Sequence, residues 1–303
     1  MSLLYDRVTR EHDNREYKRK PAKGDLILEL EKIINLTHKI IGFDGYIIPK
    51  NGSRVTLLLY CREYNQELVK DKELVALAQI LFDEMNKAID FKIAIEFSKK
   101  LKCDLTCVFI PYNYPKDDEQ AIEQEIILFP KINIEKKVKR TNVDGLRLLL
   151  KNYEKRFTRK AVTFIPTKLE YYLANIPKDQ WKIAFPGDAD GIFMDENYNV
   201  QAILEYKSDT QGRILEEESI QKYNADSTRF SVLDDFCKLL NVPLVVVFWS
   251  DTHSNTKITI RNSVKGIENS LPIIKSNDYN SCAKKIYDVL LNLSIHMNKL
   301  DLL

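Results

Sequence analysis

Residues 186–211 read PGDADGIFMDENYNVQAILEYKSDTQ, and the rest of the chain is read outward from them. Two apolar runs, Gly191 to Met194 and Val200 to Tyr206, flank DENYN, a cluster that favours turns and disfavours strand interiors, so a β-hairpin is predicted. Side chains alternate along a strand, which sends Val200, Ala202, Leu204 and Tyr206 one way and Gln201, Ile203, Glu205 and Lys207 the other. Glu205 and Lys207 then share a face, and opposite charges inside an apolar strand are costly to bury unless each has a partner. Asp190, at the start of the neighbouring strand, supplies a second carboxylate beside Glu205. Two converging carboxylates suit a hard divalent cation such as Mg²⁺, which takes one or two from protein and fills its other positions with water or phosphate. Lys207 then stands where it can hold or deprotonate a water, or neutralise charge on a phosphate. The plain alternative is an edge hairpin whose Glu and Lys face water.

Asp190, a spacer and Glu205-Tyr206-Lys207 together resemble the Asp…Glu-x-Lys signature of the PD-(D/E)XK nuclease superfamily, which includes restriction endonucleases, junction resolvases and repair nucleases. The family's Pro-Asp pair is replaced by Pro186-Gly187-Asp188-Ala189-Asp190, so Asp188 stands as a substitute for Asp190. The resemblance implies an α/β fold, a restriction-endonuclease-like mixed sheet flanked by helices in the C-terminal half, with an N-terminal α+β region before it. It also implies Mg²⁺-dependent hydrolysis of DNA phosphodiesters, with Mn²⁺ able to substitute. Asp190 and Glu205 would ligate the metal and Lys207 would orient water. Glu170 occupies the chain position where the family keeps a helix carboxylate, although Thr167 with Glu170 three residues on also reads as a capping box; Glu154 is a weaker candidate. Gln221 and Lys222 follow the motif where such nucleases often support the lysine or the phosphate. A restriction endonuclease is the first expectation, a repair or junction-resolving nuclease the second, and a catalytically idle DNA-binding module the reading from another class. Cutting two strands suggests a homodimer.

At 303 residues, 44% apolar and 30% charged, with few Gly and Pro, the chain has the composition of a folded globular protein with a sizeable core. Five scattered cysteines fit neither a disulfide framework nor a zinc site and suit a reducing cytoplasm. No apolar run is long enough to cross a bilayer and residues 1–20 are too polar for a signal peptide, so no membrane role is expected. The net charge of +2 is uninformative, but Lys131 to Lys160 holds eleven Lys or Arg against three acids. Lys136, Lys137, Lys139 and Arg140 in that segment are candidates for backbone phosphates, with a solvated helix face as the alternative. No Gly-rich phosphate loop precedes a helix, and the four histidines lack ligand spacing.

In chain order, residues 1–24 read as a charged arm, followed by a helix from Asp25 that runs until Gly42. Strands Tyr46 to Pro49 and Val55 to Cys61 flank an Asn51-Gly52 turn, and Asp71 to Lys100 has helical spacing, with a second segment, helix or strand, beginning near Phe91. Leu105 to Ile110 and Ile126 to Phe129 read as strands, which closes an N-terminal region at 1–135 and leaves 136–303 for the nuclease-like domain. Asp44-Gly45-Tyr46 resembles Asp190-Gly191-Ile192, but the next strand ends in Cys61-Arg62-Glu63 without Glu-x-Lys. Asp44 therefore reads as a turn residue and no internal repeat is expected. Helices are predicted at Val143 to Phe157, Thr167 to Asn175, Leu215 to Thr228 and Phe230 to Leu240, and a first core strand at Trp181 to Phe185. Leu244 to Trp249, apolar on both faces, is a buried strand, which with the preceding helix suggests a parallel connection. A strand at Lys257 to Ile260 and an amphipathic helix from Cys282 to Met297 close the chain.

Overall fold

The computed structural model describes residues 3–5, 8–13, 16–21, 25–49, 54–112, 125–132, 137–151, 187–208, 214–221, 227–249 and 255–301. It is a mixed α/β protein of two compact units, Met1–Ala22 with Phe43–Pro186 and Lys23–Gly42 with Gly187–Leu303. The single boundary expected at 135/136 is replaced by crossings at 22/23, 42/43 and 186/187. The physical reason lies in helix α1 (Asp25–Ile34): its apolar stripe, Leu26, Ile27, Leu30 and Ile34, buries against residues near the C-terminus, including Ile286 and Leu290. Among the described residues no helix is long and apolar enough to cross a membrane.

The second unit is built on the predicted hairpin, β9 (Gly187–Met194) with β10 (Val200–Ser208), antiparallel through Ile203↔Ile192 and Leu204↔Gly191. Asp195 closes the turn: one carboxylate oxygen accepts from the backbone N–H groups of Asn197 and Asn199 at 2.9 and 2.8 Å. The chain then crosses through helix α5 (Ser227–Leu240) into β11 (Leu244–Trp249), which pairs with β10 in parallel, as its two-sided apolarity suggests. Strands β12 (Thr256–Asn262) and β13 (Ile267–Ser270) extend the sheet antiparallel. Phe193, Ala202, Leu204, Val245, Val247, Ile258 and Ile260 form one face and pack on α1 and helix α6 (Tyr279–Leu291); α5 covers the other. The closing helix breaks at Asn292 into α6 and α7 (Leu293–Asp301). The helix expected from Leu215 to Thr228 is also corrected: Leu215–Glu217 is one short turn, and α5 starts at Ser227.

Helix α1 ends at Ile34 rather than Gly42, and the β-branched Ile40 and Ile41 enter strand β4 (Lys39–Ile47) instead. On the side of β9 away from β10 lies the opening of this strand, Lys39 to Gly42. Gly42 is needed there, since a Cβ on it would stand 2.6 Å from the Asp190 carbonyl oxygen and 3.3 Å from that of Ala189.

In the first unit β4 pairs antiparallel with β5 (Leu57–Tyr64), which pairs in parallel with β6 (Asp104–Pro111) after helices α2 (Leu74–Met85) and α3 (Ile89–Leu101). β7 (Ile126–Phe129) and β8 (Lys139–Thr141) follow antiparallel, then helix α4 (Val143–Lys151). Asp44 is thus a buried strand residue, not the turn residue its neighbours suggest. The N-terminal arm also takes part in sheets: β1 (Leu4–Tyr5) adds to β5, and β2 (Val8–Asp13) forms a hairpin with β3 (Glu16–Pro21). The expected elements at Asn51-Gly52, Thr167 to Asn175 and Trp181 to Phe185 lie outside the described residues.

Gly42→Ala is expected to lower the unfolding free energy by about 1–3 kcal/mol, because the new methyl meets rigid backbone. A urea titration checks this, and an unchanged midpoint would mean that β4 and β9 do not approach this closely.

Candidate functional site

The ladder of β9 and β10 ends at Leu204↔Gly191, and Asp190 and Glu205 are the next residues on each strand. Paired residues point to the same side and successive ones to opposite sides, so Asp190, Glu205 and Lys207 all lie on the face that α5 covers. The Lys207 Nζ is 3.1 Å from Glu205 Oε1 and sits over the Phe230 ring of α5, 5.4 Å from its centroid. Asp190 is anchored from behind: its Oδ2 accepts the Tyr206 backbone N–H at 2.9 Å.

Burial is uneven across these residues. Glu205 is 0% exposed, while Asp190 and Lys207 are partly exposed. The reason is the strand's position: β10 lies between β9 and β11, with Val246 beside Glu205, so its α5 face is roofed rather than open. A fully buried carboxylate with an ammonium beside it is tolerable because each offsets the other's lost hydration.

Tyr206, between the two charged residues, points to the opposite face. Its hydroxyl is buried without a hydrogen-bond partner, and a Cβ on Gly191 would be 3.1 Å from it. Burial raises its pKa well above the usual tyrosine value, and the negative charges of Glu31, Asp190 and Glu205 push the same way.

Of the other expected site residues, Glu170, Glu154, Lys136 and Lys222 lie outside the described residues. Gln221 is exposed on the short segment before α5. Lys137, Lys139 and Arg140 are exposed, but they belong to the first unit, while Asp190, Glu205 and Lys207 belong to the second. Arg140 donates to the Lys72 carbonyl at 2.9 Å and lies 3.7 Å from Glu125. Arg147, in the same basic segment, is buried and paired with Asp144 at 2.5 Å.

Sequence reasoning missed a second ionic group on the α5 face. Asp234 of α5 accepts two bonds from Arg261 of β12, at 3.0 and 2.9 Å, and one from the Ser263 hydroxyl at 2.7 Å; Glu268 of β13 closes it. No spacing rule signals this group, since its members come from three elements. It fixes α5 to the sheet that carries Glu205 and Lys207.

Among the described residues no group of three or more His, Cys, Asp or Glu side chains is placed to hold a metal ion. The donor set beside Lys207 is two carboxylates from adjacent strands, a number that suits Mg²⁺ more than zinc. No family model matches the chain, and no curated protein or solved structure matches it significantly.

Tyr206→Phe removes a buried unsatisfied hydroxyl and is expected to stabilise the protein by about 1–3 kcal/mol at neutral pH. Because the folded-state pKa is raised, the unfolded chain loses this proton first, and wild type loses stability as the pH climbs past about 10. The gap in unfolding midpoint between variant and wild type should therefore widen from about pH 9 to about pH 12. A constant gap would put the hydroxyl in water.

Proposed function

We propose that the second unit is a restriction-endonuclease-like nuclease core and that the protein is a metal-dependent DNA endonuclease, with restriction of specific sequences as the first role to test. The observation that carries this reading is the end of the hairpin: the Asp190 Oδ2, one residue past the last pair Leu204↔Gly191, accepts the Tyr206 N–H at 2.9 Å, and Lys207 stands 3.1 Å from Glu205. The order of elements supports it, with helix α1 and the opening of β4 before the hairpin, then a crossover helix into a parallel strand.

Asp190 and Glu205 would hold a Mg²⁺ or Mn²⁺ ion. When bound, such an ion supplies a Lewis acid that makes water more acidic and stabilises charge on a phosphoryl oxygen. Lys207 supplies the protein's own part. Its ammonium, steadied by Glu205 and the Phe230 ring, orients a water for in-line attack and offsets negative charge growing on the phosphate. In the net reaction the water oxygen bonds to phosphorus, one sugar-oxygen bond to phosphorus breaks, and the departing oxygen gains a proton. The backbone bond from Tyr206 to Asp190 keeps the first carboxylate from rotating away. The exposed Lys137, Lys139 and Arg140 offer charge for the DNA backbone.

One observation favours a second reading, a DNA-binding module that does not cut: Glu205 is wholly buried and its charge is already balanced by Lys207. Plasmid DNA separates the two. With Mg²⁺, the nuclease reading expects discrete fragments from a sequence-specific enzyme or a smear from an unspecific one. Glu205→Gln and Asp190→Asn should each lower the rate at least a hundredfold, on the scale of losing a group that stabilises the transition state. A gel shift without cleavage at any divalent ion would leave the binding module standing.

A further inference from the structure

Strands β4 to β8 follow the same pairing pattern as β9 to β13: antiparallel, parallel, antiparallel, antiparallel. In each, an Asp-Gly pair opens the ordered ladder of an antiparallel hairpin: Gly45↔Leu59 in one, Gly191↔Leu204 in the other. In each, the aspartate's Oδ2 accepts a backbone N–H from the partner strand, Cys61 to Asp44 at 2.8 Å and Tyr206 to Asp190 at 2.9 Å. In each, the second hairpin strand leads through helix to a parallel strand, with Tyr60↔Cys107 matching Glu205↔Val246, and then to an antiparallel one. The expectation of no internal repeat is overturned. It failed because the repeat keeps registers and backbone bonds while the residues on them change.

Superposing the registers puts Tyr60 where the other unit has Glu205, and Arg62 where it has Lys207. Tyr60 and Arg62 face the helix that precedes the parallel strand, as Glu205 and Lys207 do: the Tyr60 hydroxyl donates to Asp90 of α3 at 3.0 Å, and the Arg62 guanidinium lies 3.9 Å from the Tyr60 ring centroid. That guanidinium also donates to the Cys61 carbonyl at 2.7 Å, lies 3.9 Å from Asp44 Oδ2, and pairs with Asp90. The Asp44 carboxylate and the Cys61 carbonyl are the counterparts of the Asp190 carboxylate and the Tyr206 carbonyl. Burial would lower the Arg62 pKa, but Tyr60, Asp90 and Asp44 hold it above its ordinary value, so the charge is permanent.

We infer that the first unit is a disabled second copy of the same core, in which the Arg62 guanidinium takes the place of a divalent cation among Asp44, Asp90 and the Cys61 carbonyl, with Asp90 supplying the second carboxylate that Glu205 supplies in the other unit. The chain then has one metal-dependent centre, not two. This rests on the proposed metal site at Asp190 and Glu205.

The test is Mn²⁺ binding by calorimetry on the full chain. Wild type is expected to bind one Mn²⁺ and Glu205→Gln none. In the Glu205→Gln background, Arg62→Ala or the longer apolar Arg62→Met should restore one site, and adding Asp44→Asn should remove it again. Circular dichroism shows which of the two Arg62 variants folds. Failure of both folded variants to gain Mn²⁺ overturns the inference, as does a Glu205→Gln protein that already binds Mn²⁺ through Asp44. Loss of the nuclease reading has a different signature: wild type and Glu205→Gln bind Mn²⁺ alike, while the gain on removing Arg62 is still expected.

Discussion

A glutamate and a lysine on one face of an otherwise apolar central strand set the terms for the second unit. Burying Glu205 completely is tolerable only with a positive group in contact, and Lys207 provides it at 3.1 Å. That pairing requires β10 to keep its alternation, because a one-residue slip would turn both charges onto α1 and α6 and send Leu204 and Tyr206 under α5. The register then determines the rest: Gly191 opposite Leu204 and beneath the Tyr206 hydroxyl, Asp190 next to it on the strand, and Gly42 against the Asp190 carbonyl. The candidate site is therefore a by-product of the core's own packing rule. It is not an addition carried on loops.

The first unit solves the same problem with other residues. There the face toward the crossover helices carries Tyr60 and Arg62, and the compensating acids are Asp44 from the hairpin and Asp90 from α3. Both units thus place a cationic side chain two positions after the residue that follows the last hairpin pair. What differs is its company. Lys207 has a glutamate as strand neighbour, whereas Arg62 has a tyrosine and draws its acids from other elements. An arginine forks onto several oxygens at once where a lysine offers one compact charge, and Arg62 meets Asp44, Asp90 and the Cys61 carbonyl together while Lys207 lies against Glu205.

Much of this was legible in the chain. The hairpin, the buried strand Leu244–Trp249 and the strand Ile126–Phe129 follow from alternation and apolarity, which are local properties. Helix α1 was legible as a helix but not as a member of the C-terminal unit, because its partners Ile286 and Leu290 lie more than two hundred residues away in sequence. The strand nature of Ile40 and Ile41 was masked by helical spacing that ran on past Ile34. Asp44 was misread because its neighbours mimic a turn; only the bond from the Cys61 N–H marks it as a strand residue. The duplication left little trace, the Asp-Gly pairs Asp44-Gly45 and Asp190-Gly191, since most of what it preserves is backbone pairing.

Strand β4 changes allegiance at its fourth residue, with Lys39 to Gly42 in one unit and the remainder in the other. During synthesis this has a cost in time. As the chain leaves the ribosome, α1 emerges early with Leu26, Ile27, Leu30 and Ile34 aligned on one side, yet the helix that covers them is among the last segments translated. Until that helix is made, the stripe lacks the residues it packs against, and exposed apolar surface of that kind is what makes a partly made chain prone to aggregate.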